Sequence, residues 1–312
     1  MSGARDLGRW VMVRLFAIAW AGVRAAPLPV VRVVFAAIAD VVWWRRPTSV
    51  RRLEVNLARV VRTPGADVRA LSRRAMRSYF RYWMEVFRLP AIPPERIVGD
   101  MRVEGEDLLR RAVASGRGVV IALPHMGNWD HGGAWLVATG VPFTTVAERL
   151  QPEEMFDRFV AFRESLGMEV LPLTGGERSP FRVLQQRLRA GGCVCLVADR
   201  DLSASGIDVD FFGETARMPA GPAALALTTG AVLLPVTMWY PDGRRSGWRA
   251  RIHPEVTPPA DGDRTAKIAA MTQALADAFA EAIAEHPADW HMLQRLWLAD
   301  LDPARAAAAR AA

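Results

Sequence analysis

The chain has 312 residues, 51% of them apolar and 23% charged, which excludes a disordered or collagen-like polymer and is enough to bury one large core or two modest ones. Its net charge of +7 comes from one end: residues 1–52 hold nine arginines against Asp6 and Asp40, while the rest balances 31 basic with 31 acidic groups. The basic segment is interleaved with Leu, Ile, Val and Trp at near-core density, and no helix-turn-helix, zinc-finger or RNP pattern follows it, which argues against a nucleic-acid partner.

The first predicted elements lie in RWVMVRLFAIAWAGVRAAPLPVVRVVFAAIADVVWWRR (9–46). Its longest charge-free stretch, Leu15 to Val23, is nine residues, whereas a spanning helix needs about 18. Arginine recurs through the apolar part, unlike the single apolar block of a secretory signal. Two helices separated at Pro27 and Pro29, with Trp10, Trp20, Trp43 and Trp44 near their ends, fit an amphipathic segment lying on an anionic membrane surface. The alternative is a helical hairpin packed on its own domain. The expected organisation is a helical N-terminal region (1–97) with membrane-surface helices in 1–46, an α/β domain (98–301), and an Ala-rich tail (302–312) that frays.

From about residue 98, strands and helices alternate. The strand candidates are GVVIAL (118–123), FTTVAE (143–148), MEVLPL (168–173), CVCLVAD (193–199), AVLLPVTMWY (231–240) and WRARIHPEV (248–256). Helix-length stretches at 128–139, 153–166, 179–190 and 219–229 separate most of them. Apolar strands alternating with helices predict an α/β fold with a mainly parallel central sheet flanked by helices on both faces. The last two strands read as a hairpin edge, FFGETARMPAG (211–221) as a loop feeding a helix capped near Thr215 to Pro219, and 264–285 as a long closing helix. The cysteines, Cys193 and Cys195, share one face of a strand and read as small core residues of a reducing compartment. No cysteine or histidine spacing suggests a metal, and no cofactor is expected.

In open α/β sheets the site lies beyond the carboxyl ends of the strands. Strand 118–123 runs into His125 and Asp130, strand 143–148 into Glu148 and Arg149, and strand 193–199 into Asp199, Arg200 and Asp201. On a regular helix five residues turn about 500°, which would put His125 and Asp130 on different faces; the loop must fold back, with Gly127 and Gly132-Gly133 supplying the freedom. A histidine can take a proton from an attacking hydroxyl at neutral pH when a carboxylate holds its other nitrogen. No GxSxG elbow is present and neither cysteine accompanies the motif, which favours direct transfer to an acceptor over a covalent enzyme intermediate. Main-chain N–H groups around Gly127 and Asn128 are candidates for stabilising an oxyanion.

HMGNWD (125–130), AERL (147–150), ADRDLSASGIDVDFFGETARMPAGPAALALTTGAVLLPV (198–236) and HPADWHMLQ (286–294), in that order, resemble the lysophospholipid acyltransferase superfamily with its HxxxxD box. Within it the chain is most similar to actinobacterial phosphatidylinositol mannoside acyltransferases, then to lipid A acyltransferases, over about residues 5 to 300. The resemblance implies a glycerolphosphate-acyltransferase-like sheet. It implies transfer of a long acyl chain, typically palmitoyl, from acyl-CoA to the 6-hydroxyl of the mannose on the inositol 2-position of a phosphatidylinositol mannoside. A lipid A-type or other glycolipid acyltransferase and an acyl-CoA thioesterase are the alternatives. It assigns His125 as base, Asp130 as the box carboxylate and Asp199 as the charge-relay acid. Relatives carry Glu where Asp199 stands, so the expected contact needs a shifted backbone or a bridging water, or the role passes to Asp130. Glu148 and Arg149 match an acceptor-binding pair, and Arg163 and Arg200 are looser candidates for headgroup or donor contacts. Phe211, Phe212 and Met218 are candidates for an acyl slot. The partners implied are acyl-CoA, mannosylated phosphatidylinositol and an anionic membrane surface, met peripherally at the cytoplasmic face of the plasma membrane.

Overall fold

Strand β2 (Val119–Leu123) sits at the middle of the architecture because it is apolar on both sides: Val120 and Ala122 point into one core and Val119 and Ile121 into the other. The computed structural model describes residues 14, 19–62, 65–149, 153–175, 179–201, 206–242 and 247–301. Trp10, most of the first N-terminal segment and the tail 302–312 lie outside the described residues.

With β1 (Met101–Glu104), β3 (Phe143–Ala147), β4 (Glu169–Pro172), β5 (Cys193–Val197), β8 (Val232–Trp239) and β9 (Trp248–Ile252), β2 forms a seven-stranded sheet in the order β1-β9-β8-β2-β5-β3-β4. The five strands from β8 to β4 are mutually parallel; β9 is antiparallel to β8, and β1 is parallel to β9. The predicted mainly parallel sheet flanked by helices is therefore present. The hairpin of β8 and β9 is present too, but β9 is internal, because the short strand β1, which four residues barely announce, forms the edge. One core holds helices Pro180–Arg189, Gly221–Thr229 and Arg264–Glu285; the other holds Val68–Arg88, Glu106–Ala114, Trp129–Ala138 and Glu153–Glu164. Aspartates cap two of the longest: Asp67 accepts from the Ala70 N–H and Asp263 from the Ala266 N–H, each at 2.8 Å.

The stretch read as a loop is a separate hairpin of β6 (Ile207–Phe211) and β7 (Glu214–Met218). Its alternation, with Val209 and Phe211 buried and Asp208 and Asp210 exposed, is a strand pattern. Its turn was hidden because Phe212, at φ 55°, occupies a left-handed position that usually takes Asn or Gly. Helix Gly221–Thr229 then starts after the hairpin rather than inside it.

Helix Leu28–Arg45 begins at Pro27, as expected, and is joined by Arg46-Pro47 to helix Thr48–Val60. It lies against Val68–Arg88, where Arg73 and Arg77 both pair with Asp40. Two of the tryptophans expected to face a bilayer are instead docked: Trp20 donates to the Phe87 carbonyl and Trp43 to the Arg69 carbonyl, because each indole N–H finds a main-chain acceptor inside the molecule. Trp44, 75% exposed, ends a stripe of exposed Val30, Val33, Val34, Ile38 and Val41. Among the described residues no helix is long and apolar enough to cross a membrane.

Candidate active site

The register of β2 against β5 pairs Leu123 with Val197. Two residues further along each parallel strand, His125 and Asp199 arrive at the same level of the carboxyl-end rim. Asp199 is fully buried, while the His125 side chain is 32% exposed. Asp199 Oδ1 lies 2.6 Å from His125 Nδ1, and its Oδ2 accepts the His125 main-chain N–H and the Trp290 indole N–H, each at 3.0 Å. Burial alone would push the Asp199 carboxyl up, but the His125 ring and these hydrogen bonds outweigh it and hold it below its ordinary value. An ionised Asp199 makes Nδ1 the proton-bearing nitrogen and leaves Nε2 as the acceptor.

The shorter acid therefore touches His125 directly, with neither a bridging water nor a substitute. Asp130 is engaged elsewhere: Arg163 Nε donates to its Oδ1 and the Tyr82 hydroxyl to its Oδ2, both at 2.7 Å. The Asp130 carboxylate in turn holds the Arg163 guanidinium well above its ordinary value. This buried group joins three helices beneath His125, so Arg163, expected to meet substrate, is first a partner of Asp130. The joining residue Tyr82 has no motif of its own in the sequence.

The loop does fold back, but through Gly127 alone, at φ 63°, where a Cβ would lie 2.6 Å from the Met238 carbonyl oxygen. Asn128 caps the following helix by accepting the His131 N–H at 2.9 Å, and Glu85 holds Asn128, accepting from its amide at 2.8 Å. Gly132 and Gly133 lie within that helix and give it closeness rather than freedom: a Cβ would stand 2.6 Å from Met238 Sδ at the first and 2.9 Å from Met168 Cε at the second. The segment after the last long helix closes over the loop. The His291 N–H donates to the His125 carbonyl at 2.7 Å and the Gly127 N–H to the Asp289 carbonyl at 2.9 Å. Gly127 is thereby removed as an oxyanion donor, leaving the N–H groups at the start of helix Trp129–Ala138.

His125 opens into a cleft of about 690 Å³ lined by Glu148, Arg163, Arg200 and Asp201 among aromatic and aliphatic walls that include Trp83, Phe156, Phe159 and Phe181. Arg200 lines it, while its Nη1 is buried with no hydrogen-bond partner among the described residues. Arg149 does not line the cleft; it pairs with Glu153 at 3.2 Å and lies over Phe156. Beneath the cleft a second cavity of about 110 Å³ is lined by Ile121, Leu123, Trp135, Met168, Met238 and both helical glycines. Trp129, Val146, Arg163 and Val197 border both spaces. The acyl-slot residues expected from sequence border neither: Phe211 and Met218 are fully buried beside Trp290 and Trp297 on the other face of the sheet, and Phe212 sits in the hairpin turn. Their apolar character serves that core. Among the described residues no cluster of His, Cys, Asp and Glu is placed to hold a metal.

Residues 3–299 match the family described as bacterial lipid A biosynthesis acyltransferase. A phosphatidylinositol mannoside acyltransferase of Mycolicibacterium smegmatis is 52% identical over 308 residues, covering 98% of each chain. One of Mycobacterium tuberculosis is 51% identical over 298 residues, 95% of this chain and 91% of the relative.

Proposed function

Because the chain belongs to the bacterial lipid A biosynthesis acyltransferase family, we propose that His125 is the general base of a glycolipid O-acyltransferase whose acceptor is a phosphatidylinositol mannoside. The substrates named for the two mycobacterial relatives support this acceptor, and the observation that carries the mechanism is the buried Asp199 bonded to His125 Nδ1 at the head of the cleft. The donor is an acyl-CoA, probed most directly with palmitoyl-CoA, and the acceptor atom is the 6-hydroxyl of the mannose on the inositol 2-position. His125 Nε2 takes the hydroxyl proton as the oxygen attacks the thioester carbonyl, and the resulting oxyanion meets the N–H groups of Asn128 and Trp129 at the helix start. Collapse of the tetrahedral intermediate breaks the C–S bond, and the imidazolium returns its proton to the departing thiolate, so no acyl-enzyme forms.

Glu148 and Arg200 line the cleft where a sugar headgroup and phosphate would enter, and Arg149 stands at the end of the same strand as a reserve cation. The acyl chain lies along the apolar cleft wall with its end in the cavity under Trp129, replacing the slot expected at Phe211, Phe212 and Met218. The exposed stripe of helix Leu28–Arg45 supports a peripheral position on a membrane surface, from which acceptor lipid is drawn; the cytoplasmic face is part of the proposal.

The test is incubation of purified protein with palmitoyl-CoA and a panel of glycerol phosphates, lipid A precursors and mannosides, with products read by mass. Acylated mannoside is expected, and His125→Ala should abolish it while acyl-CoA binding persists. Free fatty acid as the main product, unaffected by added mannoside, would instead indicate a thioesterase.

A further inference from the structure

Away from the cleft, a groove of about 470 Å³ runs along one face of helix Thr48–Val60, which contributes Thr48, Arg51, Arg52, Val55 and Asn56; Arg295 and Asp300 form its other wall. It shares no lining residue with the catalytic cleft. Asp300 is the sole acid in the lining, and both its oxygens are occupied by Arg59, at 2.7 and 2.9 Å. Arg51, Arg52 and Arg295 therefore border the groove with no carboxylate partner among the described residues, and Arg52 Nε is buried without a hydrogen-bond partner. The helix also opens here, and its N-cap, Pro47, provides no side-chain acceptor for the first N–H groups. Three guanidinium groups lining one groove beside a helix N-terminus make its wall strongly positive, which a tetrahedral oxyanion would offset while accepting hydrogen bonds.

The surroundings indicate the source of that anion. Trp44, last of the exposed apolar stripe, is four residues from Thr48, at most about 15 Å away along the chain. Val55, in the groove itself, is 47% exposed. Apolar side chains followed at once by arginines that have no carboxylate partner among the described residues match the sequence of layers at a bilayer surface, acyl region and then phosphate. We propose that this groove is a phosphate-binding site that takes the headgroup phosphate of an anionic phospholipid, separate from the acyl donor and the acceptor, and so orients the protein on its membrane. It rests on the membrane-surface part of the proposed function and is independent of the chemistry at His125.

The test uses the full chain, in flotation with vesicles of phosphatidylcholine alone or mixed with phosphatidylglycerol, and in calorimetric titration with inorganic phosphate. Arg51→Gln with Arg295→Gln removes two exposed groups that hold no partner among the described residues; Arg189→Gln with Arg264→Gln removes equal charge from exposed positions outside the groove. The groove pair should lower partitioning onto the mixed vesicles about tenfold or more, the control pair by about twofold at most, with binding to phosphatidylcholine unchanged. Equal losses from both pairs, or no loss of either vesicle or phosphate binding from the groove pair, overturn the site. Phosphate binding that the groove pair abolishes, with vesicle binding intact, overturns the lipid as the source. Wild-type protein that floats with neither vesicle defeats the membrane-surface reading itself, and since no acyl transfer is measured, none of these outcomes depends on the enzymatic reading.

Discussion

Asp199 meets His125 at two atoms, the ring Nδ1 and the main-chain N–H, so one carboxylate sets both the tautomer and the position of the proposed base. Asp199→Asn keeps the shape but can donate to Nδ1, which favours the wrong tautomer; kcat should fall by about 10³–10⁴ in steady-state acyl transfer, with acyl-CoA affinity little changed. Trp290 acts one step back, as a positioning residue. Trp290→Phe should retain its buried packing yet lose the donor to Asp199 Oδ2, lowering kcat about tenfold while KM for acyl-CoA stays near wild type; rescue by Trp290→His, which restores a donor, would separate this from simple repacking. The sequence placed His125 and Asp199 on one rim, at the ends of strands 118–123 and 193–199, and the family resemblance paired them; that β2 and β5 are neighbours in register, which brings the two side chains level, came from the structure. Trp290 was not legible as a partner, since it lies 91 positions from Asp199 and only the packing of the C-terminal segment brings it there.

The helix Trp129–Ala138 borders the cavity through Gly132 and Gly133, so on the proposed function these glycines would set how deep an acyl chain reaches. A Cβ on Gly133 would stand 2.9 Å from Met168 Cε and 3.0 Å from Phe143 Cζ, so Gly133→Leu fills the cavity rather than the solvent. The variant should prefer shorter acyl-CoA donors, with the kcat/KM ratio of dodecanoyl to palmitoyl rising about tenfold or more, the worth of a few methylenes in an apolar pocket; an unchanged ratio would place the chain elsewhere. These glycines look from the sequence like hinges, because spacing alone does not tell whether a glycine bends a chain or clears room beside it. Phe211 and Met218 are packed in the core away from the cleft for a related reason: an apolar pair in a hairpin with period-two burial points to a core, and which core depends on the face of the sheet it covers.

At the scale of the whole molecule, buried imidazoles couple folding to pH: His253 is lowered by burial, and His131 and His291 are lowered most. Burial pushes His131, stacked on Trp248, down to about 4, and His291, beside the Ser78 hydroxyl, down to about 3. Between those values and the ordinary imidazole value of about 6.5, the unfolded chain binds protons that the folded one refuses. Their contribution to stability is therefore complete above about pH 6.5 and is lost as pH falls toward 4, with a slope of about 2–3 kcal/mol per pH unit when both are in that window. Urea unfolding between pH 7 and 4.5 should show it, and His131→Phe, which keeps the stack, should roughly halve the slope. Sequence spacing identified these rings only as lacking metal partners; their burial follows from the layers laid over them. The last such layer is the stretch from Pro287 to Met292, which carries the carbonyl that holds Gly127, the N–H that holds the His125 carbonyl and the indole that steadies Asp199, while Asn56 secures the Met292 carbonyl from far upstream. A polypeptide ending at Glu285 would contain the proposed base and acid but not the clasp that aligns them, so a series of chains shortened from the carboxyl end should lose acyl transfer in one step as residues 287–292 are removed.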